Sequence, residues 1–147
     1  MFPHVTSFAH SQPMAIDMNR VNPLTEAAIG AAIKVHRALG PGLLESAYSG
    51  CLVFELQRSG MKIRSNVPLP IQYDDVQISV GYRLDIIVED FVVLELKSVN
   101  KLAEIHTAQL LTYLKLSGYP VGLLMNFNVT LLKSGVKRLI NPHPAER

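Results

Sequence analysis

Three residues in this chain have the types and spacing for phosphodiester chemistry. Asp85 lies in Gly81-Tyr82-Arg83-Leu84-Asp85-Ile86-Ile87-Val88, and Glu95 and Lys97 lie in Val92-Val93-Leu94-Glu95-Leu96-Lys97. Both segments read as apolar strands. Glu95 and Lys97 are two apart, so on a strand they share a face. Charges within such strands are costly to bury unless they are paired or bind a metal. Hydrolysing a phosphodiester needs a cation to neutralise developing charge, an activated water and a held substrate. Mg²⁺ takes hard oxygen ligands, usually one or two carboxylates with water and phosphate oxygens completing the shell. Asp85 and Glu95 can supply the carboxylates, and the backbone carbonyl of Leu96 can add a third oxygen. Lys97 can meet the attacking water or an anionic oxygen. Zinc fits less well, because the five histidines, at 4, 10, 36, 106 and 143, show no ligand spacing. The plainer alternatives are a buried ion pair of Asp85 with Arg83 or Lys97, and a half-exposed strand with a polar face.

The constellation sets a condition on register. Residues paired across an antiparallel hairpin point to the same face. A two-residue turn at Glu89-Asp90 would pair Val88 with Phe91, and so Asp85 with Leu94, separating the two acids. A shared site needs an odd loop, such as Glu89-Asp90-Phe91, or a bulge near Asp85.

The elements that must hold these residues are read from periodicity. A helix is expected from Pro23, with Asn22 as N-cap and Glu26 in its first turn. Its buried stripe is Ala28, Ile29, Ala32, Ile33 and Val35, and Gly40-Pro41-Gly42 stops it. A second helix runs from about Leu43 to Ser59, with Leu44, Ala47, Tyr48, Leu52 and Leu56 as its apolar face. The period then changes to two. Strands are expected over 62–73, 77–88 and 91–99, with turns at Asp74-Asp75 and Glu89-Asp90. A helix over 101–117, a buried strand over 121–128 and a short edge strand over 136–140 complete the order ααβββαββ. This is a single-domain α/β (α+β) arrangement. It is expected over 21–142, between an N-terminal tail of 1–20 and a C-terminal tail of 143–147.

The bulk composition narrows the classes. The 147 residues suffice for one domain with a real core. A net charge of +2 advertises no strong basic field for nucleic acid. The single cysteine, Cys51, excludes an internal disulfide and a multi-cysteine zinc site. Apolar runs such as Val121 to Met125 are too short to span a bilayer, and the start of the chain does not read as a signal peptide. The expectation is a cytoplasmic protein with no membrane partner. Arg83, Lys101, Lys115, Lys133, Lys137 and Arg138 could form a phosphate-tracking patch, or simply a solvated surface. His36 and His106 read as surface or partly satisfied histidines.

Four motifs in order carry a resemblance. Asp85 followed by Glu95-Leu96-Lys97 resembles the PD-(D/E)XK nuclease superfamily, with Leu84 where a proline often precedes the Asp. Gln109-Leu110-Leu111-Thr112-Tyr113 is similar to the Gln-x-x-x-Tyr motif of its RecB-like branch. Gly42-Leu43-Leu44-Glu45-Ser46-Ala47-Tyr48 resembles the motif that names the GxxExxY protein family of that superfamily. The resemblance implies a central mixed sheet flanked by helices, with the site on the hairpin. It implies an auxiliary carboxylate from Glu45, and Gln109 and Tyr113 positioning Lys97 and contacting nucleic acid. It also implies Mg²⁺ (or Mn²⁺) as cofactor and DNA, less readily RNA, as substrate. Arg83, Lys101 and Lys115 are the nucleic-acid-binding candidates. A core this small has little surface for gripping a duplex, so a homodimer or larger homo-oligomer is expected. Two rivals are a nuclease fold that binds nucleic acid or protein without cutting, and a structural homo-oligomer.

Overall fold

The computed structural model of the chain describes residues 16–145. Helix α1 spans Met18–Leu39 and α2 spans Glu45–Arg58. Five strands follow: β1 (Ile63–Pro68), β2 (Ile71–Tyr73), β3 (Val76–Ile78), β4 (Arg83–Val88) and β5 (Val92–Lys97). Then come α3 (Glu104–Ser117), β6 (Val121–Asn126), a 3-10 turn (Leu132–Gly135) and β7 (Val136–Ile140). The main sheet has the order β1-β4-β5-β6-β7, and β2 and β3 pair separately. Only β5 and β6 are parallel in the main sheet, as expected for strands joined through a helix, here α3.

The alternation of the strands sorts the core into two layers. Ile86, Val88, Val92, Leu94, Leu96, Leu123 and Met125 pack with α1 and α2. Ile87, Val93 and Leu124 pack with Leu110, Tyr113 and Leu114 of α3. Gly122 lets α3 lie close, since a Cβ there would sit 3.0 Å from the Leu110 side chain. Val136–Ile140 is an edge strand, as its sequence suggests.

Several boundaries differ from the sequence reading, each for a local reason. The first helix begins five residues before Pro23, at Met18, so 18–20 are helical. Asp17 is the N-cap, its side chain accepting from the Asn19 amide at 3.0 Å. Ile16 before the cap and Val21 after it both join the core, the positions of a hydrophobic staple. That anchorage outweighs the one intrahelical bond Pro23 cannot donate. The rest of the expected tail, 1–15, lies outside the described residues. Helix α2 buries Tyr48, Leu52 and Leu56, whereas Leu44, its N-cap, and Ala47, in its first turn, are exposed. The expected strands 62–73 and 77–88 each break in two. Asn66 (φ 52°) and Gly81 (φ 87°) take left-handed backbone, and Leu69-Pro70 bends the chain so that 71–78 forms a separate hairpin. Helix α3 starts at Glu104 rather than 101, and His106 Nδ1 accepts from the Ala103 amide at 2.9 Å. Strand β6 stops at Asn126 instead of 128, where the asparagine side chain takes over the bonding. Among the described residues no helix is long and apolar enough to cross a membrane.

Candidate active site

The register of the β4–β5 hairpin comes from its loop. Val88 pairs with Val92, Ile87 with Val93 and Ile86 with Leu94, so three residues, Glu89-Asp90-Phe91, turn the chain. Phe91 explains the third residue. It is buried in the α1-side core, and the Arg20 guanidinium lies 4.2 Å from its ring centroid. Glu89 (φ 53°) and Asp90 (φ 52°) take the left-handed conformations of a tight hairpin turn. The odd loop continues the register toward Asp85 opposite Glu95, which the shared site required.

The ladder stops one step short of that pair. The last β4–β5 partners are Ile86 and Leu94. Leu84 packs on the α3 side while Ile86 and Val88 pack on the other, so β4 loses one step of alternation at Asp85. Across β4's other edge, Asn66 sits at φ 52°. The Asp85 carboxylate turns into the gap between β4 and β5, where Oδ2 accepts from the Leu96 amide at 2.9 Å. A strand residue's N–H and C=O point to the same edge. The Leu96 carbonyl therefore faces the same gap, while Lys97 O accepts from Phe127 N on the β6 side at 2.9 Å.

Glu95 is 5% exposed, and its Oε1 is buried without a hydrogen-bond partner. Burial first, and then the neighbouring charge of Asp85, push its carboxyl up to about 8. Asp85 is also raised, chiefly by burial, with the Leu96 amide opposing and the Glu45 charge adding. Among the described residues neither acid forms an ion pair with lysine or arginine. Arg83 donates instead to Asn66 O at 2.9 Å, and Lys97 Nζ to Gln109 Oε1 at 2.9 Å. The ion-pair alternative for Asp85 is therefore not realised.

Gln109 also lies beside Tyr113 and counteracts part of the upward shift of its hydroxyl. Burial and then the charge of Glu95 raise the Tyr113 hydroxyl, keeping it protonated. Their four-residue separation on α3 allows both to reach the same end of β5. Glu45, exposed at the first position of α2, adds its charge to the field on both acids.

The loop before Glu45 is held by Tyr48. Its hydroxyl donates to Gly40 O at 2.6 Å and accepts from the Leu43 amide at 3.1 Å. Its ring stacks on Phe127 at 4.5 Å. Gly40 (φ 72°) and Gly42 (φ 100°) supply the turn that brings the loop back to this hydroxyl. Ser98 Oγ donates to Leu43 O at 2.6 Å, tying the same loop to the end of β5. The Gly42, Glu45 and Tyr48 spacing is thus a loop clamp that presents a carboxylate.

Other residues fall differently from their sequence reading. His36 is buried, not superficial, with Nε2 2.8 Å from Val129 O and 3.1 Å from Phe127 O. The six basic residues do not form one patch. Lys137 reaches Thr107 on α3, whereas its neighbour Arg138 reaches Asn22 on α1, across the sheet. Lys115 lies roughly 200° around α3 from Tyr113 at ~100° per residue, so it faces away from the acids. Lys101 is exposed in the loop after β5, and Arg83 is exposed two residues before Asp85. Spacing alone gives Asn126 no chemical role. Its side chain donates to Val99 O at 2.9 Å and accepts from the Val99 amide at 3.1 Å, fixing the chain just past Lys97. A lone asparagine closing an apolar strand was the available signal.

Among the described residues no three His, Cys, Asp or Glu side chains cluster as a metal cage. The donor set is instead two carboxylates and a strand carbonyl. It fits a hard divalent cation that keeps several waters, and the unpartnered Glu95 oxygen is the lone pair such an ion would use. A mixed sheet flanked by helices, with an acid, acid and lysine at the end of its central hairpin, is a nuclease-type architecture. The chain belongs to the PD-(D/E)XK nuclease superfamily, whose family model matches residues 22–139. Proteins of this superfamily generally use divalent metal ions. No curated protein and no solved structure matches the chain.

Proposed function

We propose that this protein is a Mg²⁺- or Mn²⁺-dependent nuclease that hydrolyses phosphodiester bonds in DNA, and less readily in RNA. The observation that carries the reading is Glu95. A carboxylate this buried, beside a second acid and with an unpartnered oxygen, is unfavourable unless a cation or a proton joins it. Asp85, Glu95 and the Leu96 carbonyl would hold the ion. When bound, it would neutralise charge on the scissile phosphate and acidify a coordinated water.

The chain's own residues do the rest. Lys97, held by Gln109, presents a positive charge beside the acids to orient the attacking water and stabilise the anionic phosphate. Tyr113 stays a hydrogen-bond donor at the same place. Glu45 would supply an auxiliary carboxylate from the start of α2. Arg83 and Lys101, both exposed, would meet flanking phosphates, with Lys115 on a more distant face. We assign the chain to the GxxExxY group and the RecB-like branch on Gly42, Glu45, Tyr48, Gln109 and Tyr113. We also propose a single nuclease domain, beginning with α1 at Met18 rather than at 21, a homodimer or larger homo-oligomer in solution, and a cytoplasmic location. Cleavage of labelled DNA and RNA by the purified protein, in Mg²⁺, Mn²⁺ and EDTA, tests the activity. Cutting only with metal supports it, and no cutting of any substrate would sink it. Light scattering at micromolar concentration tests the dimer.

A further inference from the structure

Between the start of α2 and the β1 edge lies a cleft of about 400 Å³ that ends on Asp85 and Leu96. Ser46 and Ser49, one helical turn apart, form one wall, and Ser65 and Asn66 form the other. Among the described residues none of these four side chains makes a hydrogen bond within the protein. Four of the five other described serines behave differently. Ser59, Ser98, Ser117 and Ser134 each donate to a backbone carbonyl. The cleft therefore gathers three hydroxyls and an amide that face solvent and are not committed to the fold, so an occupant can bond them.

The charges around the cleft identify that occupant. No lysine or arginine lines it, and Glu45 and Asp85 do. A second phosphate would be repelled there. A neutral group rich in donors and acceptors, joined to a phosphate bound by the cation that Asp85 and Glu95 would hold, would be accepted. The volume lies near the lower end of small-molecule sites, roughly 300–1,000 Å³. A base kept in a stacked duplex cannot enter such a cleft, whereas an unpaired one can. Resting on the nuclease reading above, we propose that the cleft seats one unpaired nucleoside next to the scissile phosphate. The protein then prefers single-stranded, frayed or extruded nucleic acid to intact duplex.

The test uses the full chain and fluorescence anisotropy in Mg²⁺. The probes are a short phosphorothioate single-stranded DNA and the blunt duplex of the same sequence. Ser49→Leu fills the cleft from α2 and leaves Asp85, Glu95 and Lys97 in place. It should weaken single-strand binding by roughly tenfold or more, equivalent to about 1.4 kcal/mol, and leave duplex binding as it was. The double variant Ser46→Ala with Ser65→Ala removes hydroxyls without adding bulk and should weaken single-strand binding several-fold. If Ser49→Leu lowers the melting temperature, the double variant decides. Unchanged single-strand binding in both, or equal losses on duplex and single strand, would overturn the proposal. A parent protein that cuts in Mg²⁺ yet gives either result fails only this inference. A parent that neither binds nor cuts fails the nuclease reading itself.

Discussion

The two ends of one hairpin obey opposite rules. At the closed end, Ile86, Ile87 and Val88 pair in register with Leu94, Val93 and Val92, and all six are buried. Apolar burial and a complete ladder stabilise that end. At the open end the same two strands carry Arg83, Asp85, Glu95 and Lys97. There the ladder stops, a side chain replaces backbone in bonding the Leu96 amide, and a buried carboxylate oxygen is left unpartnered. The contrast teaches that the candidate site is built where sheet pairing ceases. The closed end supplies the rigidity that keeps the acids together despite their repulsion.

Exchanging the two kinds of residue separates the two ends. Asp85→Asn and Glu95→Gln should each abolish metal-dependent cleavage while the fold survives, because each removes a ligand of the ion. Leu94→Ala, one residue from Glu95, should instead cost about 2–5 kcal/mol of stability by leaving a cavity. Denaturant melts and cleavage assays on all three variants read this out. Early melting of the acid variants would mean that the open end also serves as structure.

Lys97→Ala comes next. It should slow cleavage by roughly 10²–10³-fold, the scale of losing one charge-stabilising donor. Stability should fall by no more than about 1.5–3 kcal/mol, the range for a hydrogen bond to a charged group, since the lysine makes no ion pair. Metal affinity, followed by Mn²⁺ titration, should be retained.

A pH series sharpens the contrast without mutation. In the fold Glu95 keeps its proton up to about pH 8, whereas in the unfolded chain it loses it near 4.5. Between those values the unfolded state binds fewer protons. The stability of the metal-free protein should therefore fall as pH rises through that window and level off above it. Asp85 is shifted in the same direction. Glu95→Gln should flatten most of the slope, and Leu94→Ala should leave it unchanged. Melting temperature against pH in EDTA measures both.

The smallest expected effect is that of Gln109→Ala. This residue acts through Lys97 and Tyr113, and its loss should cost roughly 10–100-fold in cleavage, typical of a residue that orients a ligand or catalytic group. Because it positions the lysine, combining it with Lys97→Ala should add little beyond the lysine variant alone. Full additivity in that double variant would show that Gln109 acts elsewhere.

Much of the molecule was legible from residue order. The change from a period near 3.6 to a period of two, and back, reflects which side chains must be buried. It placed both N-terminal helices, the hairpin and α3. Acid, acid and lysine stood out because charge inside apolar strands demands an explanation. Local bonding decided the ends of elements. Asp17 and Ile16 drew α1 back beyond Pro23, and Asn66, Gly81 and Pro70 cut two long strands into four. Burial of single residues also escaped the pattern. His36 reads as a surface or partly satisfied histidine until the carbonyls of Phe127 and Val129 are brought to it from more than ninety positions away.

By itself the sequence determined the inventory. It specified strands rich enough in β-branched and large apolar residues to form the sheet's centre, and an odd-loop condition that any shared acid site had to meet. Only the tertiary structure decided that the condition is met. Phe91 takes the third loop position because its ring is buried under α1 and Arg20, and no local rule contains that packing. The same is true of the end of the ladder at Asp85, of Lys97's choice of Gln109 over an acid, and of the cleft that α2 and β1 enclose. Each depends on contacts between segments distant in sequence, where burial and electrostatics are settled together.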